Sequence, residues 1–341
     1  MLRRLLMHKV SFLVLLLSTF VFGARRPGAV FLLIWPGAKP TALSGAFAAI
    51  ADDATACYYN QAGLAFVEKT MVTLQHANWL PGLHEGMYYE YAGLAKPFKV
   101  GTFGLNIIYL TTGKTEVRDE EGRYLGEYIT FDIALGLNYG FRVNPHLGLG
   151  IGWKLIYSFL VPNWVFERMP GLGIERGGTG ITYAFDAGIL YKPFKFLAIA
   201  GVLQNIGPNI AYTESGSSDP LPYTFRTGIR LEPINTKIIR FALTADVTKI
   251  LVGMFADEEK SFFENLKYEF EEAWKAAGIE IDYYNFIKLR GGYFHDVEGQ
   301  RMGFTFGGGI RAGGFSLDVG IDQSIYDFKT TNRKFSLSYQ F

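Results

Sequence analysis

The sequence contains few residues whose types and spacing could form a catalytic or metal-binding site. Cys57 is the only cysteine. The histidines are scattered along the chain, at His8, His76, His84, His146 and His295. No cysteine or second histidine lies at the short spacing that metal sites use. We therefore predict no metal, no cofactor and no enzymatic activity. A serine hydrolase assembled across separate segments stays open as an alternative, because such a triad needs no linear motif.

Charged side chains on the polar face of alternating segments are the other candidates for chemistry. The basic ones are Arg226, Arg230, Arg240, Lys288 and Arg290, and the acidic ones are Asp132, Asp186, Asp246, Asp318 and Asp322. A row of basic residues could guide the carboxylate headgroup of a ligand. The presence of both signs on one face favours a second interpretation, in which the charges form ion pairs that hold an internal segment against a wall.

The composition limits the class of protein that positions these side chains. The 341 residues are 49% hydrophobic and 19% charged, and 40 of them are glycine. A soluble domain usually has about 25% charged residues and about 7% glycine, so this chain is unusual for a soluble protein. Its 33 basic and 32 acidic residues give no excess charge for a nucleic-acid surface. The longest apolar run, residues 10–22, is shorter than the about 20 residues that a membrane-spanning helix needs.

Residues 1–24 have the pattern of a secretory signal peptide. Basic residues precede the apolar run, and the small residues Gly23 and Ala24 follow it. We predict cleavage after this segment, and a buried N-terminal helix is the alternative. An exported chain with a single cysteine can form no internal disulfide.

Hydrophobic and aromatic residues alternate with small or polar residues through most of the chain after residue 70. Residues 129–141 are the clearest case, with Leu135 and Leu137 on one face and Gly136 on the other. Such alternation is typical of a strand with two different faces. It predicts fourteen strands, at residues 71–79, 86–97, 100–112, 126–143, 146–160, 179–192, 196–206, 222–232, 237–249, 278–285, 286–294, 302–312, 314–324 and 333–341. Most reach the roughly 9 to 11 residues with which a tilted strand crosses a bilayer.

Short and long links alternate between the predicted strands. Short links such as residues 96–99 and 192–195 alternate with long ones such as residues 161–178 and 250–277. Bacterial outer-membrane barrels have this arrangement, with short turns in the periplasm and long loops outside. We therefore predict an all-β fold, an antiparallel outer-membrane β-barrel of about 14 strands with a small N-terminal helical plug. A secreted β-sandwich is the alternative, in which the apolar faces would meet in a dry core.

The predicted domain organisation follows from the same pattern. Residues 25–70 do not alternate and are dense in alanine and glycine. Fourteen strands enclose more space than wall side chains alone fill. We therefore predict that residues 25–70 form the plug and that residues 71–341 form the transmembrane barrel.

The long link before the tenth predicted strand contains a predicted extracellular-loop helix at residues 257–277. Ser261 and Glu264 have the spacing of a capping box, and Leu266 and Phe270 mark one apolar face. A glycine directly after residue 277 is expected to end the helix. We interpret the helix as a lid, as a docking surface for a partner or cargo, or as a cover on the barrel rim.

The predicted plug carries short motifs that resemble a known family. The motif residues are Gly45, Asp52, Asp53, Asn60 and Gly63. Together with the neighbouring alanines they are similar to the N-terminal signature of the PorV/PorQ family, a branch of the FadL-like outer-membrane β-barrels. The family usually has proline where this chain has Gln61, and residues 287–293 are similar to one of its late-strand motifs.

The resemblance implies a location, partners and a function. It implies a bacterial outer-membrane protein that contacts outer-membrane lipid and the barrel-insertion machinery, which would read the terminal aromatics Tyr339 and Phe341. Some family members belong to type IX secretion, where the barrel accepts cargo from the translocon, whereas FadL-like relatives pass hydrophobic molecules such as fatty acids. Secretion, with secretion subunits and cargo as partners, is therefore the expected function. Passive transport of a hydrophobic ligand is the alternative, and a purely structural envelope protein is the third. No nucleic-acid partner is expected.

Overall fold

The computed structural model describes residues 26–169, 177–214, 218–254, 261–297, 299–323 and 330–341. The predicted signal peptide, residues 1–24, lies outside these residues and stays a prediction. Within the described ranges, no helix is long and apolar enough to span a bilayer.

Most of the chain forms one closed antiparallel β-barrel of fourteen strands. The barrel strands are β1 Met71–Asn78, β2 Tyr88–Phe98, β3 Gly101–Arg118, β4 Tyr124–Asn144, β5 Leu147–Phe159, β6 Thr179–Phe194, β7 Leu197–Ile206, β10 Thr224–Asn235, β11 Ile239–Ile250, β12 Trp274–Tyr283, β13 Ile287–Asp296, β14 Arg301–Ala312, β15 Phe315–Asp322 and β16 Asn332–Gln340. The short strands β8 Ile210–Ala211 and β9 Ser218–Asp219 pair separately in the link between β7 and β10. The seam of the barrel closes where β16 pairs with β1. A closed sheet has no unpaired edge, as hydrocarbon surroundings require, and the predicted fold class is confirmed.

The period of two in the sequence corresponds to two faces of the barrel wall. On β4, Leu135 and Leu137 are exposed on the outside, whereas Ala134 and Asn138 are buried inside. Leu317 on β15 is exposed in the same way. The apolar face therefore lies on the outside of the barrel, and the alternative of a β-sandwich, which would bury Leu317 between two sheets, was wrong.

The two ends of the barrel differ in the length of their connections. The short-turn end carries turns of two or three residues, such as the turn between Phe98 and Gly101. The long-loop end carries all of the longer links. The β3–β4 hairpin projects at the long-loop end, because β3 continues to Arg118 instead of ending at residue 112. A register shift between Thr111 and Gly113 lets this extra stretch keep its pairing with β4.

Residues 26–70, called the plug, fold inside the barrel. They form short 3₁₀-helices at Val30–Leu33 and Gln61–Phe66 and short α-helices at Ala38–Ala42 and Ala56–Tyr59. At the long-loop end, the Gly28 N–H donates a hydrogen bond to the Pro220 carbonyl oxygen at 2.9 Å. The chain then passes through the lumen and enters β1 at the short-turn end.

The helix predicted at residues 257–277 is shorter in the structure. Residues 257–260 lie outside the described ranges, and the described helix is Phe262–Glu272. Ser261 and Glu264 form the predicted capping box. The predicted end was wrong, because β12 already begins at Trp274. Residues 275–277 pair with both β11 and β13, and these two ladders of backbone hydrogen bonds replace the last helical turns.

Candidate functional site: the plugged lumen

Glycines on the inner face of the wall allow the plug to lie directly against the strands. A Cβ built on Gly140 would be 2.7 Å from the Gln61 carbonyl oxygen, and a Cβ built on Gly292 would be 2.6 Å from Ser44 Oγ. Side chains at these positions would displace the plug. A Cβ would also lie within 3.0 Å of a plug atom at Gly93, Gly104, Gly148, Gly150, Gly188, Gly278, Gly307 and Gly320. Close packing of plug on wall thus accounts for these ten of the 40 glycines.

The plug contacts the inner face of all fourteen barrel strands. The wall residues, one on each barrel strand, are Gln75, Tyr91, Gly104, Gly140, Gly150, Asp186, Gln204, Arg226, Asp246, Gly278, Gly292, Thr305, Gly320 and Ser336. At the seam, Gly37 N–H donates to Gln75 Oε1 on β1 and Ala38 N–H donates to Ser336 Oγ on β16, both at 2.9 Å. A segment held on every side occupies the lumen around its whole circumference.

The two glycines of the plug motif are required by close contacts within the plug. Gly45 has a φ of +79°, a conformation that side chains disfavour. A Cβ on Gly45 would also be 2.8 Å from the Trp35 ring. Gly63 lies directly against the Ala51 backbone. Both positions therefore exclude a larger residue.

Asn60 and Gln61 connect separate parts of the plug to each other and to the wall. Asn60 Oδ1 accepts a hydrogen bond from Ala62 N–H at 3.0 Å and so caps the following 3₁₀-helix. Gln61 Nε2 donates to the Cys57 carbonyl oxygen at 2.9 Å and to Asp186 Oδ2 at 3.1 Å. The residue that departs from the family pattern thus makes side-chain hydrogen bonds that a proline could not make.

The acidic residues of the plug motif lie at the short-turn end. Lys39 Nζ is 2.6 Å from Asp52 Oδ1, and Asp53 Oδ1 accepts a hydrogen bond from Thr55 N–H at 2.8 Å. Partial desolvation works to raise the pKa of Asp52, but the Lys39 ammonium outweighs it and holds that pKa below its ordinary value. Desolvation opposes the charged form of Lys39 as well, yet the neighbouring carboxylates raise its pKa. The two charges therefore stabilise each other across a loop of the plug.

Asp186 on β6 connects three wall strands and the plug. Its Oδ2 is 2.8 Å from Lys154 Nζ on β5, and its Oδ1 accepts a hydrogen bond from the Asn205 N–H on β7 at 2.8 Å. Gln61 supplies the bond from the plug. All four residues are buried, where an unpaired carboxylate would be costly. Lys154 was missing from the predicted site, although its position in the alternation of β5 places it on the inner face.

Asp246 and Arg226, two of the predicted charges, hold the plug directly. Asp246 Oδ2 on β11 accepts hydrogen bonds from Phe47 N–H at 3.0 Å and from Ala48 N–H at 2.9 Å. The Arg226 guanidinium on β10 lies 5.3 Å from the centre of the Tyr59 ring, a cation–π distance.

Arg290 joins two carboxylates of the wall. Its Nε is 2.6 Å from Glu280 Oε2 on β12, and its Nη1 is 2.6 Å from Asp318 Oδ1 on β15. The Arg290 side chain is only 1% exposed. Two wall carboxylates thus bind its guanidinium from two neighbouring positions.

The remaining predicted basic residues also contact carboxylates. Asp282 accepts from both Arg240 and Lys288, and Arg230 pairs with Glu232. Together with Arg290 these basic residues surround a cavity of about 140 Å³ at the short-turn end. The contacts of these basic residues are ion pairs. Most of the pairs join one wall strand to another rather than wall to plug.

The remaining predicted site residues are two carboxylates of the wall and two aromatic residues near the C-terminus. Asp132 is half-buried on β4, and Asp322 Oδ2 is 4.0 Å from Arg301. The Tyr339 and Phe341 rings stack with their centres 5.4 Å apart and are exposed at the short-turn end. Their role as an assembly signal stays a prediction.

Aromatic side chains fill the part of the lumen nearer the long-loop end. They come from both plug and wall, and all are at most 5% exposed: Phe31, Trp35, Phe47, Tyr58, Tyr59, Tyr89, Tyr91 and Phe294. Trp35 packs edge-on against Phe294, with ring centres 4.6 Å apart. Sequence reasoning missed this cluster, because the aromatics of the plug follow neither a helical nor a strand period. In the described parts of the chain, no group of three or more His, Cys, Asp or Glu residues could hold a metal ion.

A comparison with protein families identifies the type of barrel. The profile of the type IX secretion system protein PorV matches residues 25–257, more than half of the chain. The chain belongs to the PorV family. The match extends from the plug through β11, and the resemblance seen in the plug motif is confirmed. This PorV-family protein is therefore located in the bacterial outer membrane, with its short-turn end toward the periplasm.

Solved structures with a similar fold are FadL-like barrels. The toluene transporter TbuX of Ralstonia pickettii is 14% identical with a TM-score of 0.55, and the match covers 90% of this chain and 98% of that chain. The P. putida toluene transporter TodX is 12% identical with a TM-score of 0.53, with coverages of 84% and 94%. A Pseudomonas aeruginosa FadL homologue is 12% identical with a TM-score of 0.51, with coverages of 90% and 99%. These identities show a shared fold and nothing about shared ligands. Among curated protein sequences, none matches the chain.

Proposed function

We propose that the protein serves type IX secretion as a plugged outer-membrane barrel that binds other proteins and does not conduct solutes. Membership of the PorV family supports the secretion role. The contact of the plug with all fourteen strands is the observation that supports binding over conduction. We infer that a barrel filled by its own chain acts through its outer surface and its loops, a role that needs no catalytic residue.

The long-loop end offers a surface large enough for a polypeptide partner. A crevice of about 1530 Å³ lies between the β1–β2 link and the β3–β4 hairpin. Its lining combines the aromatic residues Trp79, Tyr88 and Tyr109 with several carboxylates. Aromatic residues with a polar surround are typical of protein-binding surfaces. We infer that secretion subunits or cargo bind at this end.

Deletion of the gene in the bacterium that carries it tests the secretion role. We expect cargo of the type IX pathway to accumulate in the periplasm, as measured by mass spectrometry of the periplasmic and secreted fractions. Expression of the wild-type protein from a plasmid should restore secretion. Normal secretion in the deletion strain would contradict the proposal.

Transport of a hydrophobic molecule is the second candidate, because the fold is shared with the toluene transporters TbuX and TodX. The buried aromatic cluster in the lumen argues against it. Purified protein in planar bilayers should give no ion conductance, and vesicles containing it should take up toluene or oleate no faster than empty vesicles. Saturable uptake of either compound would favour the transport role.

A further inference from the structure

The helix Phe262–Glu272 lies on the outside of the barrel, against β11 and β12. Lys249 follows the inward-facing Asp246 and Thr248 in the alternation of β11 and therefore points outward. Glu269 of the helix pairs with Lys249. A second outward lysine, on β12, also holds the helix. Both contacts connect the helix to the outer face of the wall rather than to the lumen.

The second contact is made at the end of the helix. Lys275 Nζ donates to the Glu271 carbonyl oxygen at 2.8 Å and to the Ala273 carbonyl oxygen at 3.1 Å. A cation near the last carbonyl groups stabilises a helix terminus. The same Nζ lies 5.2 Å from the centre of the Phe270 ring. Lys275 pairs with Val247 on the outer face of β11, so this contact places the Phe270 ring beside the outer face of the wall.

Eight side chains of the helix form three arcs. Successive residues turn by about 100° around a helix axis. Asn265 and Glu269 are each only 7% exposed and form the arc against the wall. Phe263, Leu266 and Phe270, which are 80%, 48% and 58% exposed, form a second arc roughly 115° away.

The third arc is charged. It consists of Glu264, Lys267 and Glu271, which lie about 100° beyond the apolar arc and are exposed. Lys267 Nζ is 3.7 Å from Glu271 Oε1. A helix with an apolar face and a charged face has the amphipathic geometry with which a helix lies in the plane of a membrane interface.

We propose that Phe262–Glu272 is an interfacial membrane helix whose apolar arc inserts among the acyl chains of the outer leaflet. The lipid-facing surface of the wall continues directly below it. Phe225 on β10, which pairs with Lys249, and Ile279 on β12 are both exposed on the outer face. The apolar arc thus extends a surface that already contacts lipid, and the charged arc faces the headgroups and water. The helix widens the contact of the barrel with the outer leaflet on one side only.

Site-specific labelling tests this placement in the full-length protein. Leu266→Cys reports on the apolar arc, and the neighbouring Lys267→Cys is the matched control on the charged arc. Burial raises the pKa of the native Cys57 thiol to about 12, so this thiol stays protonated and unreactive at neutral pH. Each variant is labelled with the fluorophore nitrobenzoxadiazole and reconstituted into phosphatidylcholine vesicles.

We expect the label at position 266 to emit at shorter wavelength than the label at position 267. A lipid with a nitroxide near its headgroup should quench the label at position 266 several-fold more than the label at position 267, and aqueous iodide should show the opposite preference. Equal iodide quenching at both positions in vesicles would overturn the proposal. Protection of position 266 only in native outer membranes, and not in vesicles, would also overturn it and assign the face to a protein partner. Heat-modifiable migration on gels verifies that each variant is folded, and Phe270→Cys replaces Leu266→Cys if the latter is not.

Discussion

The carboxylate of Asp246 on the barrel wall accepts a hydrogen bond from the Phe47 N–H of the plug at 3.0 Å. The same oxygen accepts a second bond, from Ala48 N–H at 2.9 Å. One wall side chain therefore satisfies two backbone donors that are buried in the lumen and out of reach of bulk water. This arrangement makes the position of the plug depend on a residue of β11.

Asp246→Ala should loosen the plug, because it leaves both N–H groups without an acceptor. Each buried donor left unsatisfied costs about 1–3 kcal/mol. We expect a lower melting temperature in detergent and the appearance of ion conductance in planar bilayers. Asp132→Ala is the control, since Asp132 is half-buried on β4 and lies apart from these contacts. A melting temperature for Asp246→Ala equal to that of the wild type would refute this role.

Two adjacent glycines of β13 provide a matched test of close packing. A Cβ on Gly292 would be 2.6 Å from Ser44 Oγ, whereas a Cβ on Gly291 would have nothing nearer than 3.9 Å. Gly292→Ala should therefore displace the plug and destabilise the protein by about 1–3 kcal/mol, and Gly291→Ala should have little effect. Thermal unfolding and the amount of protein in the outer membrane measure the difference. Equal behaviour of the two variants would show that the plug is not packed against β13.

Removal of Arg290 should be among the most damaging changes in the lumen. Arg290→Met leaves the buried Asp318 and the half-buried Glu280 without their shared cation, and breaking a buried pair costs about 3–5 kcal/mol. Arg290→Lys should recover only part of this loss, because a single ammonium cannot form the two directed contacts. Urea unfolding in detergent gives the ranking. If Arg290→Lys were as stable in urea as the wild type, the contacts of Arg290 with two carboxylates would not explain its contribution.

The contribution of the Lys39–Asp52 pair to plug stability should depend on pH only outside the neutral range. The pKa of Asp52 is lowered in the folded protein, so its contribution is complete above its unfolded pKa of about 3.9 and is lost as the pH falls further. The pKa of Lys39 is raised, so its contribution is complete below about 10.4 and is lost as the pH rises further. The contribution of this pair should therefore stay constant from pH 5 to pH 9, a span that lies between these two values, and planar-bilayer conductance measures the loosening of the plug outside that span.

Lys39→Met provides the comparison for this pH profile. It removes the cation that lowers the pKa of Asp52, so acid loosening of the plug should begin at a higher pH than in the wild type. If the conductance rose at the same acid pH in both proteins, the pair would not hold the plug.

The sequence predicts the wall of this protein better than its interior. Alternation places Leu135 outside and Asn138 inside, because a strand has two faces and only one contacts lipid. The same rule could have placed Lys154 inside. It could not predict which carboxylate each base contacts, since Arg290 reaches Asp318 on a strand that is distant in sequence. The end of the loop helix was missed because Trp274 fits a helical period and a strand period equally well, and the choice depends on pairing with β11.

Gly37 and Ala38 are adjacent in the chain, yet one bonds to the first barrel strand and the other to the last. The first and last strands, whose pairing closes the barrel, are therefore both hydrogen-bonded to the plug that they enclose. An empty barrel would leave the side chains of Gln75 and Ser336 without these backbone donors on both sides of the seam. We therefore expect the first and last strands to pair around a plug that is already folded in the lumen.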